Sequence, residues 1–71
     1  MATIILESGE KFEHYHETES VTNYISGDLR YVDKDRDLSL KDCQTVVTPA
    51  GKSHTIINTG SEAAKFFCAH S

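Results

Sequence analysis

No stretch of this chain carries the apolar repeat at every third and fourth residue that an amphipathic helix needs. Short β-prone runs separated by turn residues take its place. Residues 3–6 are β-rich and are broken by Ser8-Gly9-Glu10. Residues 12–16 alternate, 21–25 and 29–32 are β-prone, and the Gly27-Asp28 pair between those two reads as a hairpin turn. Residues 38–40, 45–48, 55–57 and 63–69 complete the series. Pro49-Ala50-Gly51 forms a turn in which proline presets φ, and Asn58-Thr59-Gly60-Ser61 forms another. The alternating charges of Asp33-Lys34-Asp35-Arg36-Asp37 read as a solvated turn. An acidic calcium loop would need a glycine and a distal glutamate that are missing here. The fold expected is all-β, a sandwich or barrel. Residues 1–71 form one domain with no linker or repeat.

A domain of 71 residues buries a modest fraction of its surface and usually needs a staple, a metal or a partner subunit. Its seven basic residues are scattered against eleven acids, for a formal charge of −4. Nucleic-acid binding rests on lysine and arginine meeting phosphate, so neither nucleic acid nor an anionic membrane is an expected partner. The start Met1-Ala2-Thr3-Ile4-Ile5-Leu6-Glu7 has no basic region and only a short apolar run, and no segment approaches a spanning length. A cytoplasmic protein is expected, with Cys43 and Cys68 as free thiols.

Histidines stand at 14, 16, 54 and 70. On a strand, His14 and His16 share a face, about 7 Å apart along the chain. Imidazoles so placed suit zinc, copper, iron or nickel. Alone, the pair reads as readily as two surface histidines on an acidic strand end. His54 adds weight to the metal reading, because it follows a Pro-x-Gly turn and opens a β-prone run ending at Asn58. A Cys/His zinc set drawn from Cys43, His54, Cys68 and His70 fits no paired-cysteine spacing. Cys68 reads as a small core residue and His70 as a terminal histidine.

At these residues the sequence resembles the cupin family. Gly9, His14-Tyr15-His16 and Gly27 follow the family's first motif. Pro49-Ala50-Gly51-Lys52-Ser53-His54-Thr55-Ile56-Ile57-Asn58 follows the second, with 15 residues between Gly27 and Cys43. The resemblance implies a small jelly-roll β-barrel in which His14, His16 and His54 are metal ligands. Three departures stand out. The spacer after Gly9 is one residue short, Cys43 replaces the glycine opening the second motif, and Ser20 occupies the place of the first motif's glutamate. Two sites are therefore compatible with the sequence. One is a three-histidine site with open positions. The other recruits Glu19 as a fourth ligand through a bulge that re-aims its side chain. A third possibility is that the histidines are remnants and no metal is held.

Strand parity places Phe12 with the histidine pair, Thr22 and Tyr24 with Ser20, and Ile56 with His54. These residues are the expected pocket wall, which for Phe12 and Ile56 is also plain core. Tyr24 is the candidate catalytic acid, against the alternative of a packed ring with its hydroxyl at the edge. The metal implied is one divalent ion, Fe, Mn, Ni or Zn. Three neutral imidazoles leave its charge uncompensated and favour an anionic small-molecule ligand. The resemblance spans dioxygenases, isomerases, lyases and decarboxylases as well as non-catalytic binders, and fold alone does not choose among them. The expectation is a metal-dependent enzyme, dioxygenase-like or an isomerase or lyase, on a small anionic metabolite. The alternative is a metabolite-binding or sensor module without turnover. With eight residues before Gly9 and thirteen after Asn58, the sheets are expected to leave faces that a second copy covers, making a homodimer.

Overall fold

A computed structural model describes residues 2–15 and 17–70. Eight strands and one helical turn follow in order: β1 (Ala2–Leu6), β2 (Lys11–Tyr15), β3 (Ser20–Ser26), β4 (Leu29–Val32), β5 (Asp37–Ser39), α1 (Leu40–Cys43), β6 (Thr45–Thr48), β7 (Ser53–Asn58) and β8 (Ala64–His70). They build two four-stranded antiparallel sheets, β1-β8-β3-β6 and β2-β7-β4-β5. The all-β expectation is met, in the two-sheet form of a jelly roll.

Alternation along each strand builds the core. In β3, Ser20 and Thr22 are buried, and in β7 His54, Ile56 and Asn58 are buried, while the residues between them face outward. Leu6, Val46, Ala64, Phe66 and Cys68 from the first sheet meet Leu29, Tyr31 and Ile56 from the second. Each large apolar side chain so buried contributes about 1.5–3 kcal/mol. Leu40 fills the remaining space from α1 with no exposure at all. Its burial, rather than helix propensity, holds that single turn, since one isolated turn is unfavourable in water. The sequence reading extends the strand through Leu40 and finds no helix. The chain instead leaves β5 at Ser39 because Leu40 must turn inward.

A second correction concerns Gly27-Asp28. It joins β3 of one sheet to β4 of the other, so it is a crossover and not a hairpin turn. The geometry explains the glycine. Gly27 has φ of 92°, and a Cβ there would lie 2.4 Å from the Cβ of Ala64. The corner is packed, and the Tyr24 hydroxyl donates to the Gly27 carbonyl at 2.9 Å.

At the opposite end of β7, away from His54, Asn58 ties the layers together. Its Nδ2 donates to the Leu6 carbonyl at 2.9 Å and to the Glu62 carbonyl at 2.8 Å, and its Oδ1 accepts from Gly60 N–H at 2.9 Å. No helix among the described residues is long and apolar enough to cross a membrane. Cys43 is exposed and Cys68 buried, both as free thiols.

Candidate functional site

His14 and His54 face each other across the β2–β7 ladder as register partners. Their ring centroids are 6.1 Å apart with the planes tilted by 33°. Metal–imidazole bonds of about 2.0–2.1 Å limit two rings on one ion to roughly 6.5 Å between centroids, so the pair is within reach of a shared ion. Strand parity makes this possible. Phe12 and His14 lie on one face of β2, and His54 and Ile56 lie on one face of β7.

Each imidazole is backed by an aromatic ring. Phe12 stacks on His14 at 5.1 Å and 21°, and meets Phe66 edge-on at 5.8 Å. Tyr31 stacks on His54 at 5.3 Å and 14°. His54 is 2% exposed, so its ring is held inside the sandwich. His16 lies outside the described residues.

Ser20 heads β3 on the wall opposite, fully buried, and is the register partner of Thr48 on β6. Its Oγ finds no hydrogen-bond partner among the described residues. Such orphaned buried hydroxyls are uncommon and call for an explanation. Thr22, two residues on, is also fully buried, and its Oγ1 has no nitrogen or oxygen partner among them either. It stands across the ladder from Cys68. Burial pushes the Cys68 thiol up, and the Thr22 hydroxyl pulls less strongly the other way. Cys68 is therefore a quiet core thiol, as its sequence position suggested.

Two expected site residues are not brought to the histidines. Glu19 is exposed in the link between β2 and β3. Among the described residues no three of His, Cys, Asp and Glu gather closely enough to hold a metal, so Glu19 does not join His14 and His54, and neither do Cys43 and Cys68. Among the described residues no bulge falls beside Glu19. The register shift in β3 falls between Tyr24 and Ser26 instead. Tyr24 packs its ring against the core, but its hydroxyl is spent on Gly27. Gly27 leads into Leu29, which pairs with Asn58, four residues along β7 from His54 and thus about 13 Å away. Ile56 is fully buried and Phe12 partly so, both in the core.

The sequence reading misses a polar network behind His54. Tyr31 Oη shares a 2.6 Å hydrogen bond with Thr48 Oγ1, linking the two sheets. Arg36 Nη2 donates to Tyr31 Oη at 3.3 Å and to the Val47 carbonyl at 2.9 Å. The Asp33 carboxylate accepts from Arg36 Nε at 3.0 Å and from the backbone N–H groups of Asp35 and Arg36. Burial pushes the Tyr31 phenol above its ordinary value, more than the Thr48 hydrogen bond lowers it, so it stays neutral. Burial also raises Asp33, but the hydrogen bonds from Asp35 and Arg36 outweigh it and hold the carboxyl below its usual range. The charged turn is thus half structural: Asp33 is 5% exposed in its side chain, while Asp35 is 68% exposed. The available signal was parity, since Tyr31 lies two residues from the apolar Leu29.

A groove of about 590 Å³ runs along the edge of this end, lined by Val32, Asp33, Lys34 and residues 51–55, His54 among them.

The family model for the cupin domain matches residues 2–70. Comparison with curated proteins finds no match. Among solved structures, the chain is similar to a protein from Thermotoga maritima described as a predicted oxalate decarboxylase. That match has 27% identity and a TM-score of 0.81, covering 96% of this chain and 61% of that one. A protein from Thermus thermophilus matches at 20% identity and TM-score 0.86, covering 97% of this chain and 68% of that one. A cupin superfamily protein from Desulfitobacterium hafniense matches at 19% identity and TM-score 0.79, covering 93% of this chain and 60% of that one. The last two likenesses establish a shared fold. This chain spans about three fifths of the length of the Thermotoga protein.

Proposed function

This chain belongs to the cupin family, and from that premise we propose that it holds one divalent transition metal through His14, His16 and His54 and takes a small anionic metabolite there. The observation that carries the reading is the His14–His54 pair, register partners with rings 6.1 Å apart, His14 half-buried and His54 buried. His16 enters the proposed set from the His-x-His spacing of the sequence alone. The orphaned Ser20 hydroxyl supports a bound ligand, because it offers a donor or acceptor to a group not supplied by the described residues.

Iron, manganese, nickel or zinc would fit this imidazole set and would supply Lewis-acid polarisation of a ligand oxygen. The chain's own part is to bind and to orient. Three neutral imidazoles add no negative charge, and Ser20 adds none where the family motif has glutamate. A carboxylate ligand is the natural complement to such a site. The Thermotoga relative's description as a predicted oxalate decarboxylase agrees with that ligand class. Phe12 and Ile56 provide an apolar wall, and Ser20 and Thr22 provide hydroxyls.

Within this reading the protein works in the cytoplasm as a metal-dependent enzyme of the dioxygenase, isomerase or lyase kind. A second reading, a binding or sensor module without turnover, is favoured by one observation. Tyr24, the candidate acid, has its hydroxyl committed to Gly27.

Elemental analysis of freshly purified protein, followed by thermal melts with oxalate, tests the proposal. Near-stoichiometric metal is expected, lost in His14→Ala and His54→Ala, with oxalate raising the melting temperature only when metal is bound. A metal content near zero that added Co²⁺ or Fe²⁺ does not raise would overturn it. Oxygen uptake or carbon dioxide release with candidate carboxylates then separates the enzyme from the sensor.

A further inference from the structure

The His54 ring is in contact with more than its partner across the ladder. Tyr31 lies nearly parallel to it, at 5.3 Å and 14°, and Tyr31 is itself completely buried. Two groups grip the Tyr31 hydroxyl: Thr48 Oγ1 at 2.6 Å and Arg36 Nη2 at 3.3 Å. The Arg36 guanidinium also sits over the Tyr31 ring, 5.2 Å from its centroid. Arg36 is fixed in turn by the Val47 carbonyl at 2.9 Å and by the Asp33 carboxylate at 2.9–3.0 Å. A continuous set of contacts thus runs from the β4–β5 turn to the buried imidazole.

We propose that Tyr31 is the positioning residue of this site: its ring sets the tilt of His54 toward His14, and Arg36 and Thr48 clamp that ring in place. The proposal rests on the reading of His54 as a metal ligand. The physical reason is that an imidazole binds a metal only along its nitrogen lone pair, in the ring plane. A ring already held in one tilt loses less freedom on binding than a ring that must be ordered by the ion. Outer groups that orient metal-bound histidines usually do so through the second ring nitrogen. At His54 the face of the ring is held, by Tyr31.

The position of Tyr31 makes the idea specific. Its aromatic body supports His54 on the second sheet, and its hydroxyl holds Thr48, the register partner of Ser20 on the first sheet. One side chain therefore relates the histidine wall to the wall that carries the substituted glutamate position. A merely structural tyrosine would stabilise the sandwich without changing how tightly an ion binds.

The test uses the full chain, with Co²⁺ as the probe. Affinity is read from the visible d–d absorption, and the His54 ring protons are read by NMR in metal-free protein. In the wild type the Tyr31 ring current is expected to shift the His54 protons upfield. Tyr31→Leu is expected to lose that shift and to weaken Co²⁺ binding about tenfold or more. Tyr31→Phe keeps the ring and is expected to restore most of both. Arg36→Gln and Thr48→Val leave Tyr31 in place but loosen its clamp, and each is expected to weaken Co²⁺ about threefold and to reduce the shift. Equal Co²⁺ affinity in Tyr31→Leu and wild type overturns the proposal alone. Absence of Co²⁺ uptake by the wild type overturns the metal reading and the proposal with it. If Tyr31→Leu does not fold, the clamp variants decide: no change in affinity or shift in either one overturns the proposal.

Discussion

Tyr31 and Thr48 belong to opposite sheets, yet their hydroxyl oxygens stand 2.6 Å apart. At the other end, Asn58 of the second sheet donates to the Leu6 carbonyl of the first at 2.9 Å. The sandwich is thus pinned by a buried polar tie at each end, with the apolar core between. A thin core of this kind gains specificity from such ties, because a slipped packing would leave their hydroxyls and carbonyls unpaired in a dry interior.

Thr48→Val takes from the Tyr31 hydroxyl its 2.6 Å hydrogen-bond partner in the core. A loss of about 1–3 kcal/mol is expected from urea denaturation. Adding Tyr31→Phe should recover part of it, since both polar groups are then gone. A Thr48→Val protein as stable as wild type would show that the tie contributes nothing.

Asn58→Leu and Asn58→Asp should be costlier. The amide makes three hydrogen bonds at 1% exposure, and both substitutions remove the two it donates to carbonyls. About 3 kcal/mol or more is expected, visible as a lowered denaturation midpoint. A neutral Asn58→Asp would contradict the donor assignment.

Two of the glycines with positive φ, Gly9 and Gly27, separate strain from space. At Gly9, with φ of 80°, an added Cβ meets nothing within 4 Å. Gly9→Ala should lose only the backbone term, about 1–2 kcal/mol. At Gly27 the same strain is joined by collision with Ala64, backbone as well as side chain. Gly27→Ala is expected to lose at least about 2 kcal/mol more than Gly9→Ala, or not to fold. Equal melting temperatures for the two variants would contradict the packed corner.

Asp33 gives the fold an acid dependence. Its carboxyl is held below its ordinary value, so the native state favours the ionised form. The contribution is complete above the unfolded value and is lost as pH falls through the lowered folded one. Asp33→Asn should therefore be less stable than wild type at neutral pH, with the gap closing below about pH 4. A stability difference that stays constant from pH 7 to pH 2 would rule out this linkage.

The outer face of the first sheet carries Ile5, Ile25 and Val47, which are 55%, 45% and 45% exposed. Val21, across from Val47, and Phe67, across from Thr3, extend the same face. We propose that a second copy covers it, making a homodimer. Light scattering at micromolar concentration should return twice the chain mass, and Val47→Glu should lower it. A wild-type monomer at that concentration would refute the dimer.

Local pattern and tertiary structure divided this protein between them. Strand alternation and turn residues are local properties, so the all-β class and the two motifs were legible in the sequence, whereas the grouping of His14 with His54 came only through the family resemblance. The burial of Ser20 and Thr22 followed from the same parity. Pairing between strands is a long-range property. Gly27-Asp28 resembled a hairpin because the residues on either side are β-prone, but the chain passes there to the other sheet, with Gly27 packed against Ala64. Leu40 looked like the end of a strand until the space between the sheets required it. The Tyr31–Thr48 tie and the Arg36 clamp join residues up to 17 positions apart, and no periodicity announces them. Tyr24 and Tyr31 both lie in β-prone runs, and only Tyr24 was singled out from the sequence. The tertiary structure assigned one hydroxyl to a turn and placed the other tyrosine against His54, because hydrogen-bond partners in a core are set by which strands meet and not by which residues adjoin.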